Sequence, residues 1–388
     1  MSRSTDPFLI AALSGRALMQ SAQCGGFPAV VLDVFGDMDM RSEANAWARV
    51  GDLPGGFDAG RLLAAAQRLA PAERCAGLVY GSGFESQPHL LAALAQDRPL
   101  YGNAPETLAQ VCDPHHFFPV LDRLGIPHPA VRYTAPSDPD RWLGKRVGSS
   151  GGAHVRPARQ VQEDRYYFQR HAQGDVLSVA FLGNGRDAVI LGVSEQWRAD
   201  SQRRCPYLYG GAVSNRRLNA ALFAEIRRAI GDLVRWWGLR GLNGLDLVVD
   251  RGDYYVLELN ARPTATVELY QAGAGYSLFE AHVQACRGQS LPGLAPAAGR
   301  HAHMPVYSEA ELRVPPDFAW PQWCSDLPEA GSCIRPGEPL CTVHASGDSA
   351  RGLRDLLLER ARRLQGALLP EWGAGAQPPA FGSVAAWL

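Results

Sequence analysis

Residues 241–269 read GLNGLDLVVDRGDYYVLELNARPTATVEL, and the fold turns on how this stretch pairs with itself. Two strands are predicted, over residues 243–250 and 254–260, joined by the turn Arg251, Gly252, Asp253. Pairing symmetric about Gly252 sets Asp246 opposite Glu258 and Val248 opposite Val256. Directly opposed side chains have β-carbons about 4.5–5.5 Å apart, where like charges repel. The flanking residues Leu245, Leu247, Val249, Leu257 and Leu259 are apolar, so the hairpin reads as buried rather than as a solvated surface ribbon. Two facing acids inside it then need compensation, and a cation between them supplies it. Asn260 and Arg262 follow Glu258 at spacings of two, which continues one strand face as carboxylate, amide, guanidinium. Oxygen donors of this kind suit Mg²⁺, which takes one or two carboxylates and leaves its other positions to water and phosphate oxygens.

The chain's one lysine leads to a second stretch. Lys145 lies in a predicted strand over residues 142–147, which is followed by Gly148, Ser149, Ser150, Gly151 and Gly152. A Gly/Ser loop is often only a flexible turn. With a lysine delivered to its entrance it becomes a phosphate cradle, because backbone N–H groups form a concave anion nest and the ammonium adds a point charge.

The remaining chain supplies the frame. A strand over residues 8–13, a turn at Ser14, Gly15 and Arg16, a helix over 17–23 and a strand over 28–35 are repeated by a helix over 60–69 and a strand over 76–80. This alternation predicts a parallel, doubly wound sheet. No second glycine completes a dinucleotide fingerprint. Glu85 follows the third strand at the end where such sheets bind ligands, and is a candidate contact for a substrate amine or, alternatively, a helix N-terminal acid. Strands are expected over 166–170 and 176–182, then a long irregular stretch over 197–215 that carries Arg198, Arg203, Arg204, Tyr207 and Tyr209, with Arg203 and Tyr209 as candidate substrate contacts. A helix over 216–238 precedes the hairpin. A Pro/Gly/Ala-rich boundary over 288–299 leads to a small β unit and a final helix over 349–364, and His301 and His303, read as lying on an exposed linker, receive no ligand role.

Composition narrows the classes. The chain has 388 residues, is 46% hydrophobic and carries a net charge of −1, which allows two or three packed units and gives no reason to expect nucleic acid or an anionic membrane as partner. No apolar run approaches the roughly 18–20 residues of a membrane span. Eight cysteines without a CxxC pair suggest neither zinc ribbon nor disulfide framework, and a reducing cytoplasm is the expected setting.

In order, Lys145 with its glycine loop, the strand pair around Gln169 and Gly174, and Asp246…Glu258-Leu-Asn260-x-Arg262 resemble the ATP-grasp carboxylate–amine ligases over roughly residues 100–290. The resemblance implies an α/β architecture in three parts: a Rossmann-like domain at 1–110, an ATP-grasp fold of two α+β subdomains at 111–290 with its lid at about 130–180, and a β-rich unit at 300–388. It also implies roles. Lys145 and the lid residues Gly148, Ser149, Ser150, Gly151 and Gly152 would hold ATP phosphates, Gln169 the adenine and Asp175 the ribose. Asp246, Glu258 and Asn260 would hold one or two Mg²⁺ ions, or Mn²⁺, and Arg262 would neutralise an acyl phosphate and tetrahedral intermediate. Small-molecule carboxylate and amine substrates are expected, and a homodimer is compatible with the resemblance. Two positions depart from the family: Pro114, His115 and His116 stand where a second lysine is common, and only Asp175 is placed for the ribose. GRALMQSA, LDVFGD, YGSGFE and WPQWCSDLP resemble ligases of one-carbon carrier biosynthesis, including tyramine–glutamate ligase-like proteins. The alternatives are a carboxylase relative using bicarbonate and a nucleotide-binding regulatory protein without turnover.

Overall fold

The computed structural model describes residues 5–53, 55–161, 164–199, 205–272, 274–291, 293 and 299–368. It opens with a parallel sheet of β1 (Phe8–Ala11), β2 (Ala29–Asp33), β3 (Ala46–Arg49), β4 (Gly77–Tyr80) and β5 (Leu100–Tyr101), in the order β3-β2-β1-β4-β5. Leu9, Ile10, Val31 and Leu78 are fully buried, as expected for short apolar strands covered on both faces. Helix α1 (Arg16–Cys24) follows β1, and α2 (Ala59–Leu69) follows β3. The doubly wound expectation therefore matches the start of the chain.

Helix α3 (Pro114–Leu124) begins where Asp113 accepts a hydrogen bond from the backbone N–H of His115, and stops at Gly125 with φ +63°, the left-handed turn that glycine adopts without strain. A four-stranded antiparallel sheet comes next: β6 (Val131–Arg132), β7 (Trp142–Arg146), β8 (Val155–Pro157) and β9 (Tyr166–Arg170), ordered β8-β7-β9-β6.

The largest sheet is antiparallel throughout. Its strands are β10 (Asp175–Asn184), β11 (Ala188–Arg198), β12 (Tyr209–Val213), β13 (Arg240–Asp250), β14 (Asp253–Asn260), β15 (Arg300–Tyr307), β16 (Cys324–Ser325) and β17 (Pro339–Gly347), ordered β14-β13-β10-β11-β12-β15-β17-β16. Helix α4 (Ala220–Trp237) lays Leu222, Ile226, Ile230, Leu233 and Trp237 into the same core as Leu177, Val179, Leu245 and Leu247. It starts at Ala220 rather than Arg216 because the Asn219 side chain accepts from the Leu222 N–H and caps it there. Helix α6 (Ala350–Leu368) covers β15 and β17 through Leu353, Leu357 and Leu364, and α5 (Leu278–Cys286) packs against β10 and β13. Among the described residues no helix is long and apolar enough to cross a membrane.

Three expectations need correction. The stretch 197–215 is not a long irregular loop: β11 runs to Arg198 and Tyr209–Val213 is a strand, which leaves residues 199–208 between them. Strand β11 was not anticipated, although AVILGV at its start is an apolar run of strand length. The later strands are also continuous with the central sheet, since β12 pairs directly with β15. Consequently His303 lies in mid-strand and is 2% exposed rather than on an exposed linker.

Candidate functional site

The hairpin β13–β14 closes on Asp250 opposite Asp253, with Arg251 at φ +51° and Gly252 at φ +100°. Positive φ at both loop residues is the geometry of a tight two-residue hairpin turn. Carried outward without interruption, that register would set Asp246 against Leu257. The register instead shifts between Asp246 and Leu247, with Leu257 as the extra residue, and Asp246 pairs with Glu258. The same shift places Val248 opposite Tyr255, not Val256. One inserted residue reverses which face each side chain occupies, so the bulge brings the two acids together.

Their neighbours are polar and close. Asn260 Nδ2 donates to Asp246 Oδ2 at 3.2 Å and to Glu258 Oε1 at 3.4 Å. Gln196 Nε2 donates to Asp246 Oδ1 at 3.5 Å from β11, and Ser178 on β10 stands opposite Asp246. Burial and the facing Glu258 push the Asp246 carboxyl up to about 7. Burial works against Glu258 ionising too, but Lys145, His154 and its hydrogen bonds outweigh it and hold Glu258 below the usual carboxylate range. The two carboxyls are thus driven apart, Asp246 toward the protonated form and Glu258 toward the ionised one. Lys145, 6% exposed on β7, has its pKa lowered by burial against the opposing pull of Glu258 and Asp246. Two carboxylates with an amide between them match the donor chemistry of Mg²⁺ or Mn²⁺.

Arg262 lies at the junction of the sheets. Its Nε donates to Glu85 Oε1, Nη1 to the Pro263 carbonyl at 3.2 Å and Nη2 to Asn260 Oδ1 at 3.1 Å. Arg262 and Glu85 side chains are each 8% exposed. Glu85 also accepts the Gly83 N–H at 2.7 Å. Just before Arg262, the Ala261 carbonyl accepts from the Tyr80 hydroxyl at 3.0 Å and from Asn103 Nδ2 at 2.9 Å, which pins the end of β14 to the carboxyl ends of the parallel strands. Glu85 is therefore the acid that orients Arg262.

The two acids, Asn260, Gln196, Ser178 and Arg262 line one cavity of about 1300 Å³. Lys145, Gln169, Asp175, Tyr209, Asp246, Glu258, Asn260 and Arg262 border it, as do Ser150, Gly151 and Gly152, while Gly148 and Ser149 do not. Gly152, at φ +79°, comes so close to the Tyr207 carbonyl that a β-carbon would sit 1.9 Å from it; only glycine lets the loop lie there. Gln169 is 2% exposed and its Nε2 has no hydrogen-bond partner, an orphaned donor facing the space where the resemblance puts adenine. Asp175 is exposed and paired with Arg216 at 2.7 Å. Arg203 lies outside the described residues. The sequence reading missed Gln196, Ser178 and His154. His154 is 5% exposed beside the loop, and burial lowers its pKa to about 4.

A pH dependence follows from Asp246. Its pKa is higher in the folded than in the unfolded chain, so its favourable contribution is complete below about pH 4 and is lost as pH rises through about 7. Asp246→Asn should therefore stabilise the nucleotide-free protein at pH 8 by about 2 kcal/mol, with the difference vanishing near pH 4. Urea denaturation at both pH values checks this. A variant less stable at pH 8 than wild type would contradict it.

Residues 112–266 match the family model for the ATP-grasp domain. The carbamoyl phosphate synthase large chain of Deinococcus deserti is 24% identical over 275 residues, which cover 63% of this chain and 26% of that one. The tyramine–L-glutamate ligase of Methanocaldococcus jannaschii is 25% identical over 163 residues, covering 42% and 48%. The chain spans about a quarter of the length of the carbamoyl phosphate synthase chains it matches. Among solved structures, the biotin carboxylase domain of Hydrogenobacter thermophilus 2-oxoglutarate carboxylase, in complex with MgADP, ADP and bicarbonate, superposes with a TM-score of 0.69 at 11% identity over 92% of this chain and 89% of that one. The stretch that matches the ATP-grasp domain model, residues 112–266, carries Lys145, the facing acids and Arg262.

Proposed function

We propose that this chain is an ATP- and Mg²⁺-dependent ligase that joins a small-molecule carboxylate to an amine through an acyl phosphate. The observation that carries the reading is the convergence of Lys145, Asp246, Glu258 and Arg262 on one cavity. A bound Mg²⁺ would neutralise charge on the β- and γ-phosphates. Lys145 contributes a cation to the phosphates and the N–H groups of the glycine loop contribute fixed dipoles. Arg262, held by Glu85, faces the transferring centre and stabilises negative charge there. The substrate carboxylate oxygen takes the γ-phosphoryl group and ADP leaves. The amine then attacks the acyl carbon, phosphate departs, and the nitrogen loses a proton. Catalysis of this kind is mainly positioning and charge neutralisation.

Likeness to tyramine–L-glutamate ligase supports an amino-acid carboxylate and an aromatic amine as the first pair to try, in the biosynthesis of a one-carbon carrier. The eight cysteines, all free, accord with a reducing cytoplasm. A screen of amino acids against aromatic and aliphatic amines, read as ADP release, tests the proposal; ADP release that needs both substrates together is the expected result. No release with any pair, under conditions where Mg-ATP binds, would count against ligase activity. The structural likeness to a carboxylase domain holding bicarbonate favours a second reading, with bicarbonate as the carboxylate. Release that depends on added bicarbonate, and a carboxylated product, would establish that one instead.

A further inference from the structure

Glu268, His303 and His344 lie apart from the acid pair and have no part in the reading above. Each offers one ligand atom, and these atoms lie within 4.8 Å of one another. Glu268 follows the hairpin, whereas His303 on β15 and His344 on β17 are direct cross-strand partners. Paired residues project from the same sheet face, and the two imidazole centroids are 6.2 Å apart.

Each ring is anchored through one nitrogen. His303 Nε2 lies 2.6 Å from the Tyr209 hydroxyl, and His344 Nε2 lies 2.6 Å from Ser325 Oγ. His303 is 2% exposed, and its Nδ1 is buried with no hydrogen-bond partner. Glu268 Oε2 is 3.6 Å from that nitrogen, beyond hydrogen-bond range. A metal-ligating histidine is oriented by a hydrogen bond at its other ring nitrogen, the place the Tyr209 and Ser325 hydroxyls take here.

We propose that Glu268, His303 and His344 form a site for a divalent transition ion of the Zn²⁺ class, separate from the Asp246–Glu258 pair. Two imidazoles and one carboxylate favour zinc-like ions, whereas the all-oxygen set on the hairpin favours Mg²⁺. Ligand atoms around tetrahedral zinc are about 3.4 Å apart, so the three side chains close inward by at most about 1.4 Å on binding. Charge also favours a cation. Arg16 is the guanidinium beside three carboxylates: it pairs with Glu268 and Asp326, and Asp39 lies 3.9 Å away. Arg16 occupies one acceptor direction of Glu268 Oε2, at 3.1 Å, and a carboxylate oxygen has a second.

Three protein ligands leave a fourth position for an exchangeable group. Glu268 and His303 border a cavity of about 220 Å³ that reaches Arg262 and Thr264. The open position thus faces the space next to the reacting centre, where water or a small oxygen-bearing group would complete the shell.

The test is Co²⁺ titration of the chelator-stripped full chain, read by visible absorption. The expected result is one equivalent with the d–d bands of a low-coordinate site, no thiolate charge-transfer band, and displacement by Zn²⁺. That spectrum should persist in Glu258→Gln and disappear in His303→Gln and His344→Gln. Tyr209→Phe, which keeps the ring but removes the anchoring hydroxyl, should weaken binding about 10–100-fold. If His303→Gln does not fold, His344→Gln at its half-buried position and Tyr209→Phe carry the same readout. Absence of stoichiometric binding in wild type, a thiolate band, or binding lost in Glu258→Gln and kept in the histidine variants would overturn the proposal.

Discussion

Arg262→Lys is expected to lower turnover by about 10²–10³-fold while leaving Mg-ATP affinity within a few-fold of wild type. A guanidinium grips two oxygens of an acyl phosphate or tetrahedral intermediate at once, and lysine offers a single charged point. Losing one preorganised donor of this kind costs about 2.7–4 kcal/mol in the transition state. The surroundings of Arg262 support preorganisation. Glu85, the Pro263 carbonyl and Asn260 occupy three of its donors, and the carbonyl of Ala261 is fixed by Tyr80 and Asn103. Lysine retains a positive charge next to Glu85, so the fold should survive. ADP release and nucleotide titration on one preparation separate the roles. Near-normal turnover, or a variant that no longer folds, would make Arg262 a structural link between the sheets and nothing more.

The second large effect is on stability. Arg16→Met should cost about 3–5 kcal/mol, because it leaves buried acids without their counter-charge. Arg16 is 3% exposed, bonds Glu268 through Nη1 and Nη2, Asp326 through Nε at 2.7 Å, and Gln20 at 3.0 Å. Burial opposes ionisation of Glu268, but Arg16 outweighs it and holds that carboxyl well below the usual range; Asp326 is depressed by the same balance. In wild type this contribution is present above the unfolded carboxylate pKa and is lost as pH falls through the lower folded value. In the variant the uncompensated acids take up protons more readily. The gap between the two proteins should therefore be widest near pH 7 and narrow toward about pH 4. Urea denaturation across that range is the check, and a difference below about 1 kcal/mol at neutral pH would contradict the account.

Arg16 also shows where sequence reading stops. Its partners lie 252 and 310 residues away, and nothing local to Ser14, Gly15 and Arg16 marks it as more than a turn residue. The cross-strand pair His303 and His344 is hidden for the same reason: 41 residues separate them, and only the register of β15 against β17 makes them neighbours. The facing acids were legible because a hairpin is a local structure whose turn announces its register. Even there the residues led to the right pair through an incomplete argument, since symmetry about Gly252 gives Asp246 with Glu258 but misplaces Val248. The bulge at Leu257 accounts for both outcomes. Lys145 was legible as the chain's one lysine set before a glycine loop. Its neighbour His154 was not, because a histidine six residues past the loop entrance carries no signal until the loop folds back over it. Strand β11, and with it Gln196, was missed because its second half, SEQWR, breaks the apolar run that opens it.

The central claim is that Lys145 and the Asp246–Glu258 pair hold a magnesium nucleotide in the large cavity. Melting curves of wild type and Glu258→Gln, recorded with Mg²⁺ alone, ATP alone and both at millimolar concentration, test it most directly. The ion needs phosphate oxygens to complete its shell, and the phosphates need the ion against the two acids. The predicted result is a wild-type transition raised clearly by the combination, far less by either component, and much less in Glu258→Gln. A wild-type transition unmoved by Mg-ATP would contradict the account.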